Sequence, residues 1–322
     1  MSDLTIGIRG VAYALPGHSR SLSELARLSQ LKSEPALLEQ FGFSQVYVAD
    51  EETPYSLALA AAKTLLDEHD AAPASVDALI YCGTPSVAFT PAGSVRDAAG
   101  RLATTRRFSY PATRLQYELE LDRASTFALD QLACTSLFAA VRLARALIIA
   151  GEARRVLCVS SEFFPECAGR EAIYNCTGDA ACAVLVDDGA ERNRIVASMQ
   201  VTKGYYWDAD ALTNEIVASY FPTAKHVIAE TLGRAGWSPN DVTWVLPHNV
   251  SVRSWEILLG LTGIPRDRLW CRNVARIGHT LAGDNFINLR DAMGDGSICR
   301  GDRLLLFSYG YGAHWTALAV EA

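Results

Sequence analysis

Short apolar runs alternate along this chain with longer segments in which apolar residues recur at helical spacing. Residues 76–81, 155–160 and 180–186 are nearly continuous in apolar residues, which is typical of buried strands. Residues 57–68 (Leu-Ala-Leu-Ala-Ala-Ala-Lys-Thr-Leu-Leu-Asp-Glu) are typical of a helix. Alternation of such runs predicts an α/β fold.

The pattern also repeats. The first repeat is a helix, a proline-containing turn and a strand that begins at Val76. The same pattern recurs 166 residues later, where the strand begins at Val242. Gly151 and Gly301 each follow a helix-like segment and precede an apolar strand, 150 residues apart. Two pairs of similar segments in the same order indicate two related α/β halves. We place the boundary near Gln200, giving halves 1–200 and 201–322.

One strand-to-helix junction carries a candidate nucleophile. The run Ala128-Leu-Asp-Gln-Leu-Ala-Cys134-Thr-Ser leads from an apolar strand into an Ala/Leu-rich helix. Unpaired backbone N–H groups and the positive end of the helix dipole favour a thiolate at this point. We therefore take Cys134 as the candidate nucleophile, although a free cysteine more often acts as a small buried hydrophobe.

The remaining cysteines favour that simpler interpretation. Cys82, Cys158 and Cys182 lie in apolar strand-like runs, so we expect them in the core. The eight cysteines form no CxxC pair and no dense framework, which argues against a disulfide scaffold and a zinc site. No metal cofactor is expected.

Composition narrows the class of protein. The 322 residues are 50% hydrophobic and 20% charged, enough for a large core. The chain has no 18-residue apolar span and no signal-peptide pattern at its start, so we expect a cytoplasmic protein that does not bind membranes. A formal charge of −7 disfavours nucleic acid as a partner.

With these motifs in place, the chain resembles the thiolase-fold condensing enzymes, and within them the β-ketoacyl-ACP synthase III group. The matching segments occur in the family's order along nearly the whole chain. They are Ala133-Cys134-Thr135-Ser136, Thr177-Gly-Asp-Ala, Pro247-His248-Asn, Gly278-His279-Thr-Leu and Gly310-Tyr-Gly312. The resemblance implies a thiolase fold, two pseudo-symmetric halves in a layered α-β-α-β-α arrangement, and a homodimer.

The resemblance also implies roles for individual residues. Cys134 would receive an acyl group from a thioester and hold it covalently while the second substrate enters, which implies ping-pong kinetics. The backbone N–H groups of Cys134 and Gly312 would form the oxyanion hole. The simpler interpretation of the glycine pair is a tight turn, and both can hold together.

His248 and Arg253 occupy family positions as well. His248 matches the histidine that acts on the second substrate, although a lone histidine near an apolar strand is more often structural. Arg253 matches an arginine associated with docking of acyl carrier protein. It is equally consistent with a solvated helix charge.

The chain departs from the family at His279. Synthase III members usually carry asparagine here, whereas Gly278-His279-Thr-Leu resembles the elongating ketosynthases, which use Cys-His-His. Two N–H donors would stabilise the enolate formed by decarboxylation of a malonyl-type extender. An imidazole can also act as a base toward an alcohol or amine. Asp284 either orients a histidine or caps a helix.

The residues expected to bind coenzyme A at the entrance to the active site also differ from those of the family. Residues 25–40 lack the tryptophan and arginine pair that holds the adenine of coenzyme A in acetyl-CoA-primed members. This favours an acyl group on the phosphopantetheine of acyl carrier protein, with CoA as the other thioester donor. Residues 86–110, which include Arg106 and Arg107, form a long insertion that is either functional or a surface excursion.

Two reactions remain open. The first is decarboxylative Claisen condensation onto a malonyl-type extender in specialised fatty-acid or polyketide biosynthesis. The alternative is acyl transfer without decarboxylation to a hydroxyl or amine.

Overall fold

The structure is a computed structural model that describes residues 5–83, 110–164, 169–173, 175–209 and 211–322. The insertion at 86–110, including Arg106 and Arg107, lies outside the described residues except for Tyr110.

The strands alternate with helices along both parts of the chain. The strands are β1 (Ile6–Ala14), β2 (Ser19–Ser21), β3 (Gln45–Tyr47), β4 (Ala78–Gly83), β5 (Ser125–Leu129), β6 (Arg155–Glu162), β7 (Glu171–Ala172), β8 (Asn175–Cys176), β9 (Ala180–Asp188), β10 (Arg194–Thr202), β11 (Trp244–Pro247), β12 (Arg303–Gly310) and β13 (His314–Glu321). The helices are α1 (Leu22–Arg27), α2 (Pro35–Gln40), α3 (Pro54–Glu68), α4 (Pro111–Glu118), α5 (Ser136–Ile149), α6 (Thr213–Ala235), α7 (Val252–Thr262), α8 (Arg272–Ile277) and α9 (Asp284–Gly294).

Nine strands form one hydrogen-bonded sheet in the order β11-β12-β13-β10-β1-β9-β6-β4-β5. This order consists of two similar units, β5-β4-β6-β9-β1 and β11-β12-β13-β10. The units meet where Gly7 of β1 pairs with Arg194 of β10. In each unit the strands at the outer edge pair in parallel, and the strands nearer the junction pair antiparallel. The repeated topology accounts for the sequence repeats.

The described core has four apolar clusters, three of which separate the layers. α5 and α9 pack between the two units, where Phe138 and Phe286 have ring centroids 5.1 Å apart. α3 and α4 cover the outer face of the first unit, and α6 and α7 cover the outer face of the second. The order α-β-α-β-α confirms the predicted thiolase-fold arrangement. Strands covered on both faces must be apolar throughout, which is why β6 and β9 are continuous hydrophobic runs.

The strand order also bears on where the halves divide. Residue 200 lies inside β10, which pairs along its length with β13 of the second unit. We propose that the two halves divide in the connection 189–193, between β9 and β10.

Burial agrees with the prediction for the core cysteines, since Cys82, Cys158 and Cys182 are all fully buried. Among the described helices, none combines the length and the apolar character needed to cross a bilayer.

Candidate active site

Cys134 lies where the first unit meets the second. It belongs to a 3-10 turn, Ala133–Thr135, immediately before α5, and its side chain is 7% exposed. Ala133 has a φ of +45°, a backbone conformation that costs a non-glycine residue energy. The turn thus directs the thiol to the start of a long helix, as the sequence pattern predicts.

The end of β12 packs directly against this turn. The Ser308 hydroxyl donates to the Cys134 carbonyl oxygen at 3.0 Å. A Cβ on Gly310 would lie 2.5 Å from the carbonyl oxygen of Leu132 and 3.2 Å from the Cys134 nitrogen. Only glycine permits this approach, so Gly310 fixes the distance between β12 and the turn that carries Cys134.

Gly312 is held differently. Its φ of +105° favours glycine, and a Cβ added at this position would have His314 Nε2 as its nearest neighbour, at 3.2 Å. The oxyanion hole formed by the N–H groups of Cys134 and Gly312 therefore stays a proposal.

Cys134, His279 and Asp284 form a continuous chain of contacts. The Cys134 Sγ atom lies 3.3 Å from His279 Nε2, and His279 Nδ1 donates to Asp284 Oδ2 at 2.5 Å. Asp284 is the first residue of α9 and is fully buried, while the N-cap position is Gly283. The structure therefore places Asp284 where it can orient the histidine.

The Asp284 carboxylate is itself fixed by three further donors. Its Oδ1 atom accepts from the Thr280 N–H at 2.6 Å and the Thr280 hydroxyl at 2.7 Å. Its Oδ2 atom also accepts from the Asn249 N–H at 2.6 Å. These donors hold the Asp284 carboxylate in one orientation.

The charge state of His279 follows from these contacts. Burial by itself lowers the pKa of an imidazole, but the Asp284 carboxylate and the Cys134 sulfur outweigh it and raise the pKa of His279 well above its ordinary value. His279 is thus a strong base toward the thiol.

His248 follows β11 and is 2% exposed. Its ring centroid lies 6.2 Å from that of His279. Burial and the neighbouring His279 charge lower the pKa of His248 to about 3, so the ring is neutral at physiological pH. A neutral imidazole keeps one N–H donor and one acceptor.

Buried amides hold the His248 loop onto α9. Asn285 donates to the carbonyl oxygens of Leu246 and Phe307, and Asn288 donates to the Pro247 carbonyl oxygen at 2.8 Å. The loop is therefore fixed by the helix that also carries Asp284, which sets the relative position of both histidines.

A cavity of about 230 Å³ opens onto all three candidate groups, Cys134, His248 and His279. Much of the rest of its lining is apolar. Arg253 is exposed in the first turn of α7, next to Ser254, which lines the cavity. Within the described residues no cluster of histidine, cysteine or acidic side chains has the arrangement of a metal site.

Comparison with known proteins identifies the fold and the class of enzyme. The family model for 3-oxoacyl-[acyl-carrier-protein] synthase III matches residues 130–204, and the model for its C-terminal part matches 232–322. Together they span just over half of the chain. The chain belongs to the β-ketoacyl-ACP synthase III family of condensing enzymes. It is an acyltransferase with the thiolase fold.

Individual relatives cover the chain from end to end. The synthase III of Aquifex aeolicus is 26% identical, with 98% of each chain aligned, and that of Rhizorhabdus wittichii is 27% identical over 97% of this chain and 98% of the relative. The crystal structure of the Aquifex aeolicus protein superposes with a TM-score of 0.82 at 25% identity, covering 98% of this chain and all of the other.

The structure also shows a largely buried acidic residue near the site, Glu162, which the sequence analysis did not predict. Glu162 is the last residue of β6, at the same sheet edge as Asp130, which follows β5. Burial and the Asp130 carboxylate raise the pKa of Glu162 to about 8, with the His279 charge acting in the opposite direction. The parallel alignment of β5 and β6 on β4 was the available signal, because it brings the carboxyl ends of these strands together.

This acid predicts a dependence of stability on pH. Between about pH 4.5 and 8 the folded protein holds a proton on Glu162 that the unfolded chain has released, so the free energy of unfolding falls as pH rises through this window. In Glu162→Gln that loss from pH 5 to pH 8 should be smaller, by about 1–3 kcal/mol. Denaturant titrations at both pH values measure it, with the exposed Glu191→Gln variant as control. An equal pH dependence in the wild type and Glu162→Gln would contradict the prediction.

Proposed function

We propose that this protein transfers an acyl group from a thioester through Cys134, by a ping-pong mechanism, to a malonyl-type extender on acyl carrier protein. The reaction is a decarboxylative Claisen condensation in specialised fatty-acid or polyketide biosynthesis. The observation that carries the proposal is the 3.3 Å contact between Cys134 Sγ and His279 Nε2, inside a cavity that His248 also lines.

The first half-reaction needs a thiolate and hydrogen-bond donors that stabilise the negatively charged oxygen of the tetrahedral intermediate. His279 accepts the thiol proton, and the Asp284 carboxylate stabilises the resulting imidazolium. The sulfur then attacks the thioester carbonyl carbon, a new C–S bond forms and the donor's C–S bond breaks. The departing thiolate takes up the proton from His279. The N–H groups of Cys134 and Gly312 are the proposed donors to the intermediate's oxygen.

The second half-reaction uses both imidazoles as donors. His279, whose pKa is raised, first takes up a proton from solvent. Loss of carbon dioxide from the extender then leaves an enolate, whose oxygen would accept from an N–H of neutral His248 and from the Nε2–H of protonated His279. The enolate carbon attacks the acyl-cysteine carbonyl carbon, a C–C bond forms, and the C–S bond to Cys134 breaks. Cys134 returns as a thiolate, ready for the next donor.

The contact between His279 and Asp284 favours a second candidate. Decarboxylation creates its own nucleophile and needs no base, whereas an alcohol or amine must lose a proton as it attacks the acyl-enzyme. A histidine backed by a fixed carboxylate supplies that base. His279 would take the acceptor's proton and return it to the Cys134 sulfur as the ester or amide is released.

The partners follow from the chemistry of a phosphopantetheine thioester. Exposed Arg253 beside the cavity would meet the acidic surface and phosphate of an acyl carrier protein. Acyl-CoA is the other candidate donor. Composition supports a cytoplasmic location and argues against membranes and nucleic acid as partners.

A homodimer is part of the proposal. Among the described residues, no strand pairs with the outer edge of β5, and Phe127 on β5 is 36% exposed. An open edge of this kind is suited to pairing with a second copy of the chain.

The test separates the two reactions and the roles of the histidines. Wild-type protein is incubated with an acyl thioester and malonyl carrier protein, and carbon dioxide release and products are measured. We expect carbon dioxide and a β-ketoacyl product. Ester or amide formation with a supplied alcohol or amine, without decarboxylation, would favour the second candidate.

His248→Ala is expected to retain acylation of Cys134 and to lose about 10²-fold or more of the condensation rate, because His248 serves the second substrate. Intact-protein mass spectrometry measures the acyl adduct, and trapped carbon dioxide measures condensation. A folded His248→Ala protein that no longer forms the adduct would contradict this division of roles.

A further inference from the structure

One face of α9 carries a row of polar groups into the interior of the protein. Asp284, Asn288 and Asp291 follow one another at spacings of four and three residues, which places them on the same side of the helix. Asp284, which holds His279, and Asn288 are both fully buried. A buried amide requires hydrogen-bond partners, and those of Asn288 lead toward the active site.

Three buried asparagines form a chain of hydrogen bonds. Asn273, near the start of α8, donates from Nδ2 to Asn288 Oδ1 at 2.9 Å. Asn288 donates from Nδ2 to Asn249 Oδ1 at 2.9 Å, and Asn249 donates from Nδ2 to the Gly278 carbonyl oxygen at 2.9 Å. No more than 1% of any of the three asparagines is exposed. The chain thus ends at the residue that precedes His279.

The groups at the two ends of this chain fix its direction. At the outer end the Arg276 guanidinium, which can only donate, donates from Nε to Asn273 Oδ1 at 2.8 Å. At the inner end the Gly278 carbonyl oxygen can only accept. Each asparagine between them must therefore accept through its oxygen and donate through its nitrogen. Hydrogen bonds aligned in one direction in a low-dielectric interior strengthen one another.

The chain meets the catalytic groups at Asn249. The backbone N–H of Asn249 donates to Asp284 Oδ2 at 2.6 Å, and the same oxygen accepts from His279. The Asn249 side chain holds the carbonyl group of Gly278, next to His279. Through Asn249, Asn288 therefore supports both the carboxylate and the backbone on which the position of the His279 ring depends.

We propose that Asn288 is a positioning residue for the contact between His279 and Cys134. Its amide keeps Asn249 in the orientation that directs the Asp284 carboxylate at the imidazole, so that the imidazole can hold the thiol proton. Asn288 acts through Asn249. The inference rests on the proposed role of His279 as the base for Cys134.

The first experiment measures the reactivity of Cys134 in Asn288→Ala at two pH values. Peptide mass spectrometry follows alkylation of Cys134 by iodoacetamide in the folded, full-length protein. We expect alkylation to be slowed about tenfold at pH 6, the effect of losing a buried hydrogen bond, and by less than about threefold at pH 9. The two factors differ because hydroxide can replace His279 as the base in alkaline solution.

Asn193→Ala is the matched control for loss of a buried amide. Asn193 is 2% exposed and donates from Nδ2 to the Ile8 carbonyl oxygen, outside the chain of asparagines. This variant should lose stability in denaturant titrations and alkylate Cys134 at the wild-type rate at both pH values. Slowing of Asn288→Ala by equal factors at pH 6 and pH 9, or no slowing at pH 6, would overturn the proposal. The same pH-dependent slowing in Asn193→Ala would also overturn it.

A second pair of variants tests the chain from its outer end, where folding is less at risk because the Arg276 side chain is 43% exposed. Arg276→Gln retains an N–H donor at the position of Nε, whereas Arg276→Met keeps a side chain of similar length without a donor. We expect Arg276→Met to alkylate Cys134 about threefold more slowly than Arg276→Gln at pH 6, and at the same rate at pH 9. Equal rates at pH 6 would overturn the proposal even if Asn288→Ala does not fold.

Alkylation requires no acyl donor, so its outcome is separate from that of the proposed function. A wild-type protein whose Cys134 is readily alkylated at pH 6, but which forms no adduct with any acyl thioester, would overturn the proposed acyl transfer. The role of Asn288 would be decided by the pH dependence of alkylation alone.

Discussion

Replacing Cys134 by alanine is expected to abolish covalent acylation of the protein. The proposed mechanism routes every acyl group through this sulfur, and an acyl group on His279 Nε2 would be an acyl imidazole, which water hydrolyses quickly. Intact-protein mass spectrometry after exposure to an acyl thioester should show one adduct on the wild type and none on Cys134→Ala. Product formation should fall to the background rate.

The control addresses a competing thiol. Cys299 is the exposed cysteine among the described residues, and it could react with thioesters without any catalytic machinery. Cys299→Ala should retain the adduct and the turnover of the wild type. An adduct that persists in Cys134→Ala and disappears in Cys299→Ala would show that acylation is adventitious.

The layered fold and the position of Cys134 could be predicted from local pattern. Continuous apolar runs identify strands covered on both faces, and the change from a strand period to a helix period at 130–136 marks the turn that carries Cys134. These features depend on residues close together in sequence. The repeat of proline turn and strand likewise predicted two units of similar topology, because each repeat is one local supersecondary element.

The detailed chemistry of the site could not be predicted in the same way. The five-residue spacing from His279 to Asp284 is compatible with a helix cap or with a histidine partner. The decision comes from the folded arrangement: the Asn249 N–H and the Thr280 donors hold the carboxylate in the orientation that reaches the ring. Only the folded chain brings these groups together.

The lining of the cavity beside Cys134, to which Tyr220 and Tyr309 belong, is even harder to predict from the sequence. Tyr220 and Tyr309 belong to different elements, and nothing in either local sequence indicates that the two rings meet. Glu162 lies at the end of a largely apolar strand, and its proximity to Asp130 depends on the strand order. The cavity lining and the electrostatic environment are therefore properties of the tertiary structure, whereas the fold and the turn that carries Cys134 can be predicted from local sequence.

Asp284→Asn is expected to lower the rate of Cys134 acylation by about 10²–10⁴-fold, the range typical of losing general acid–base function. The carboxylate raises the pKa of His279, and an amide would let burial pull that pKa down. The imidazole would then hold the thiol proton less well, so less thiolate would be present near neutral pH.

The pH dependence distinguishes this effect from a structural defect. Alkylation of Cys134 by iodoacetamide should be slowed in Asp284→Asn far more at pH 6 than at pH 9, because hydroxide can replace His279 as the base in alkaline solution. Asp295→Asn is the matched control: it lies just past the end of the same helix, α9, in an ion pair with Arg272 outside the catalytic chain. Slowing by the same factor at both pH values would indicate that Asp284 supports the fold of the site and leaves the proton on His279 unaffected.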